Sequence, residues 1–160
     1  MINSIKFYKM THTELVTFSE KWIIKKTRCS FAFAEIKCIN AEIADVIGFA
    51  SGDYSILIEC KISRSDFLQD RKKPFRNSNS KAGVGKYRFY SCPEGLIKSS
   101  ELPENWGLIY FSEKGMGEII WNPYCACLTG NIWFGGFEMN KEAERNILYS
   151  ALRRKVKNLQ

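Results

Sequence analysis

A chain of 160 residues and 18.5 kDa, 45% hydrophobic and 26% charged, fits one domain with its own core, and residues 1–160 are read as a single domain. No apolar run approaches the roughly 20 residues of a membrane span, and Lys6, Lys9 and His12 interrupt any signal-like stretch, so a cytoplasmic protein with no membrane partner is expected. The net charge of +7 is concentrated between Lys61 and Arg88, where nine basic residues face two acidic ones while the remainder balances; that footprint suits a reader of phosphate backbones, although a solvated basic loop has the same composition.

In chain order, Met1 to Met10 reads as a short strand or arm. Thr11 to Thr27 reads as a helix: Thr11 and Glu14 form a capping box, and Leu15, Phe18 and Trp22 share one face. His12 is expected on its exposed flank, and Glu14 in the cap rather than at a metal. Ser30 to Asn40 alternates as a strand that puts Phe31, Phe33, Glu35 and Lys37 on one side. Ile43 to Phe49 and Ser55 to Ser63 flank a Ser-Gly-Asp turn and read as a hairpin. Arg64 to Asn79 reads as a helix or basic loop, capped by Ser65 and ended or bent by Pro74. A mobile Ser/Asn/Gly loop follows to Gly85, then strands at Lys86 to Cys92, Trp106 to Phe111 and Glu118 to Trp121. Asn122 to Gly136 has no clear assignment. Asn140 to Lys157 closes the chain as a helix with Ala143, Ile147, Leu148, Ala151 and Leu152 on one stripe and a cationic end.

Six cysteines, at 29, 38, 60, 92, 125 and 127, include no CxxC pair, and with a single histidine they argue against zinc. The hairpin is more suggestive. Glu59 and Lys61 share one strand face, with Asp45 on the partner strand, at the mouth of an otherwise oily element. Such charges pair with one another or hold a metal. Asp45 and Glu59, with the Cys60 backbone carbonyl, would offer hard oxygens to Mg²⁺ (or Mn²⁺), and Lys61 would act on a water or on charge developing at phosphate. A surface hairpin with solvated Glu59 and Lys61 has the same pattern. Glu35, on the neighbouring strand, reads equally as a further metal ligand or as an edge-strand charge.

Asp45 followed by Glu59-Cys60-Lys61 resembles the PD-(D/E)XK, or restriction-endonuclease-like, nuclease superfamily. The order continues through Ser65-Asp66-Phe67, Lys72-Lys73-Pro74, Tyr87-Arg88-Phe89-Tyr90 and Asn105-Trp106-Gly107 and is similar to the MmcB-like DNA-repair nucleases over roughly Thr13 to Phe111. Ala44 stands where the motif's name has proline. The resemblance implies an α/β fold with a mixed central sheet of four to five strands flanked by helices. It implies Mg²⁺-dependent cleavage of DNA phosphodiester bonds, as an endonuclease in DNA repair or in processing of phage or foreign DNA, with Asp45, Glu59 and Lys61 catalytic. The basic residues Arg64, Lys72, Lys73, Arg76, Lys86 and Arg88 are then expected to hold DNA. A non-catalytic DNA-binding or inhibitory module and a homodimeric Holliday-junction resolvase are the alternatives.

Overall fold

The computed structural model describes residues 9–37, 43–77, 80–125 and 132–159. The expected N-terminal arm therefore lies almost wholly outside the described residues, as do parts of the Ser/Asn/Gly loop and of the 122–136 segment.

The elements run α1 (His12–Lys26), β1 (Phe31–Lys37), β2 (Ile43–Phe49), β3 (Ser55–Cys60), α2 (Arg64–Asp70), β4 (Tyr87–Pro93), β5 (Trp106–Phe111), β6 (Gly117–Trp121) and α3 (Lys141–Lys157). The fold is α/β as expected, but its mixed sheet has six strands in the order β1-β2-β3-β4-β5-β6, where four to five were expected. The difference lies at the margins: β1 pairs along its length with β2, and β6 returns antiparallel on β5, so both edges belong to one sheet. The pairs β1–β2 and β2–β3 are antiparallel, whereas β3–β4 and β4–β5 are parallel. Parallel neighbours need long connections, and the β3-to-β4 crossover carries α2 and the 3-10 turn Pro74–Arg76.

Local chemistry accounts for the helices. The Thr11 side chain accepts from the Glu14 N–H, and Glu14 returns to the Thr11 N–H, so the capping box forms as read. Ser63, rather than Ser65, caps α2 through the Asp66 N–H. Asn140 caps α3.

α1 lies across one face of the sheet. Trp22 Nε1 donates to the Gly117 carbonyl at 3.2 Å, and Ser19 meets Ser91. Gly48 permits the close approach: a Cβ there would stand 2.4 Å from Ile23 Cγ2. On the other face Phe67 of α2 packs edge-on against Tyr90, and Arg76 lies over Trp106. α3 is anchored at its first turns, where buried Glu144 accepts from Ser55 Oγ and the Gly85 N–H, each at 2.8 Å. Beyond Ile147 the expected stripe holds only in part: Ala151 packs against the edge of the core, whereas Leu148 and Leu152 are exposed.

Candidate active site

The β2–β3 register, ending at Val46↔Ile58, puts Asp45 opposite Glu59 at the next step and hence on the same face. Lys61, two residues beyond Glu59, returns to that face. All three converge. Lys61 Nζ lies 3.5 Å from Glu59 Oε2 and 3.9 Å from Asp45 Oδ2. The Cys60 N–H donates to Asp45 Oδ2 at 2.8 Å and fixes that carboxylate, while the Cys60 thiol turns inward to Ser19 and Ser91.

α2 adds what the hairpin lacks. Asp66 and Asp70 are one helical turn apart, and their oxygens stand 3.8 and 3.4 Å from Lys61 Nζ. Asp70 is buried and heavily bonded: Arg76 Nε at 2.8 Å, Lys73 Nζ at 2.8 Å and the Tyr90 hydroxyl at 2.8 Å all reach it. Arg76 Nη2 also stands 3.1 Å from Glu59 Oε1, outside hydrogen-bonding geometry, and that oxygen has no hydrogen bond. α1 contributes His12, whose Nε2 is 3.6 Å from Asp45 Oδ1.

Burial works on the charges differently. It pushes Glu59 up, helped by the Asp45 and Asp70 carboxylates and opposed by Arg76 and Lys61, to about 8. Asp70 feels burial too, but the hydrogen bond and charge of Arg76, with Lys61 and Lys73, hold it well below the usual carboxylate range. Burial alone would lower Lys61; Glu59, Asp70, Asp45 and Asp66 outweigh it and raise the ammonium. The site is thus a cationic lysine ringed by four carboxylates, of which burial favours a proton on Glu59 while Arg76 keeps Asp70 ionised.

Among the described residues no three or more His, Cys, Asp or Glu side chains are grouped to hold a metal ion by themselves. Asp45 and Glu59 are two hard oxygen donors on one face, which suits a cation that keeps waters and takes further ligands from its substrate. Glu35 is exposed, at φ 52 between the pairs Ala34↔Val46 and Ile36↔Ala44.

The expected DNA contacts divide. Lys72 is exposed, and Lys73 is half-exposed in its pair with Asp70. Arg64 is exposed but tied to Glu101 and the Leu96 carbonyl. Two require correction because they are buried: Arg76 is 1% exposed between Asp70 and Glu59, and Arg88 is 0% exposed, donating to the Gly85 and Phe75 carbonyls over the Phe137 ring. Lys86 pairs with Asp53 and donates its N–H to Ser55, at the opposite end of β3 from Lys61. The sequence reading missed His12, Asp66, Asp70 and Tyr90. The i,i+4 spacing of Asp66 and Asp70 was a usable signal; nothing local marked His12 or Tyr90.

No protein-family model matches the chain, and no curated protein matches it. Among solved structures it is similar to the SPO1766 protein of unknown function from Silicibacter pomeroyi, with a TM-score of 0.64 at 15% identity, covering 96% of this chain and 92% of that one. At that identity the likeness speaks for the fold alone: a six-stranded mixed sheet flanked by helices.

Proposed function

We propose that this chain is a divalent-metal-dependent hydrolase of DNA phosphodiester bonds, built on a restriction-endonuclease-like core. The observation that carries the reading is the convergence of Asp45, Glu59 and Lys61 on one spot, 3.5 to 3.9 Å apart across the lysine nitrogen. Asp45, fixed by the Cys60 N–H, and Glu59, with a buried oxygen that has no hydrogen bond, would hold Mg²⁺ or Mn²⁺. Such a cation supplies Lewis-acid stabilisation of the phosphate and a bound water of lowered pKa. Lys61 orients that water or stabilises the charge that gathers on phosphate. Arg76 and Asp70 position Glu59 and Lys61 from behind.

Purified protein with Mg²⁺ or Mn²⁺ is expected to cut at least one member of a panel of single-stranded, duplex, flap and four-way DNA. Lys61→Met, which keeps the apolar stem, is expected to lose roughly a hundredfold or more of that rate, with its melting curve checking the fold. Equal cleavage by both proteins discards the assignment. The rival is a DNA-binding module on the same scaffold that does not cut. It is favoured by one feature, the four carboxylates that already satisfy Lys61, and salt-dependent binding without cleavage under any metal supports it.

A further inference from the structure

We propose that the groove between α1 and the β5–β6 turn is a second nucleic-acid contact, which takes the phosphodiester backbone of a single strand on Lys21, Lys25, Lys26 and Lys114. The groove encloses about 470 Å³, room for a nucleotide unit. Lys21 and Lys25 stand one turn apart on α1. Lys114 faces them from the turn, which Gly115 closes at φ +77 with its N–H bonded to the Ser112 carbonyl. Cations therefore flank the groove on both sides, and no carboxylate lines it. All four lysines are exposed and make no ion pair among the described residues, whereas Lys61, Lys73, Lys81 and Lys86 are all paired. Gathering like charges without a counter-charge is unfavourable unless an anion joins them.

The wall between the cations is apolar. Phe18, stacked on Phe111, and Met116, 69% exposed, offer a surface on which a base can lie while its phosphates meet the lysines. A concave groove favours a strand over a lipid surface, which engages protruding groups. The basic window from Lys61 to Arg88, by contrast, has Lys61, Arg76 and Arg88 buried and Arg64, Lys73, Lys81 and Lys86 paired with carboxylates. The subsite needs no metal, so it stands or falls apart from the hydrolysis reading.

The test is fluorescence anisotropy of a labelled 20-mer thymidine oligonucleotide in EDTA, titrated across a NaCl series. The wild type is expected to bind with a salt-dependent affinity. Lys21→Gln/Lys25→Gln/Lys114→Gln is expected to weaken binding about tenfold or more at low salt and to flatten the log–log salt slope by about 2, at roughly 0.7 per lost phosphate contact. Arg153→Gln/Arg154→Gln/Lys155→Gln on α3 removes the same charge and is expected to cost much less. All substituted side chains are exposed, so unchanged melting curves are expected. No oligonucleotide binding by the wild type, an equal loss in the two triple variants, or groove-dependent binding to phosphatidylserine vesicles but not to the oligonucleotide would each overturn the proposal.

Discussion

At Arg76 the fold commits one guanidinium to two acids. It donates through Nε to Asp70 and stands 3.1 Å from Glu59, with 1% of its side chain exposed. Removing a buried partner strands the charges it neutralised, so Arg76→Ala is expected to lose about 3–5 kcal/mol of stability in denaturant unfolding. A loss below about 1 kcal/mol would mean that Lys61 and Lys73 suffice without it. Glu59 brings a pH dependence of definite sign. Its carboxyl is held up at about 8 by burial and by the Asp45 and Asp70 charges. Between the ordinary carboxylate range and about 8 the unfolded chain has released this proton while the folded chain keeps it, so stability falls as pH rises through that window. Without metal, wild type and Glu59→Gln should melt alike near pH 4.5 and separate toward pH 8, with the glutamine variant the more stable by on the order of a few kcal/mol. A gap that does not change with pH would contradict this.

Elements place those residues. α1 reaches the sheet so closely that Gly48 has no room for a Cβ, which would sit 2.4 Å from Ile23 Cγ2 and 3.1 Å from Cys29 Sγ. Gly48→Ala must shift the helix or the strand, at an expected cost of about 1–3 kcal/mol in thermal or denaturant unfolding. Since α1 also carries His12 to Asp45, the displacement should loosen the site as well as the core. An unchanged midpoint would show that the helix yields freely. The crossover behaves differently. α2 is only seven residues long, yet Phe67 wedged against Tyr90 and the Asp70–Arg76 pair hold it firmly beneath the sheet. A short helix with one buried aromatic and one buried acid is a weak periodic signal, which is why this segment read as either helix or basic loop.

Over the whole molecule the distribution of charge decides more than its total. Of the nine basic residues between Lys61 and Arg88, three are buried, at Lys61, Arg76 and Arg88. Others are paired at the surface with Glu101, Asp70, Glu138 and Asp53. The window that looked like a phosphate reader is in large part the internal wiring of the crossover. The exposed lysines of the groove come from the end of α1 and from Lys114, outside the window that net charge along the sequence singled out. The sheet reaches six strands because both edges close by local hairpin-like pairing, which is legible from neighbouring apolar runs; the parallel pairing of β3, β4 and β5 is not.

Helix capping and strand alternation act over a few residues and do not depend on the rest of the chain, so the α1 cap, the strand identities and the shared face of Glu59 and Lys61 were legible without coordinates, whereas Asp45 joins that face through the β2–β3 register. Only the tertiary structure decided that Asp66, Asp70 and His12 join them and that Arg76 and Arg88 turn inward. A long cationic side chain reads alike in sequence whether it faces water or crosses a core. Which it does depends on whether a carboxylate or carbonyl from a distant element arrives to offset the loss of hydration.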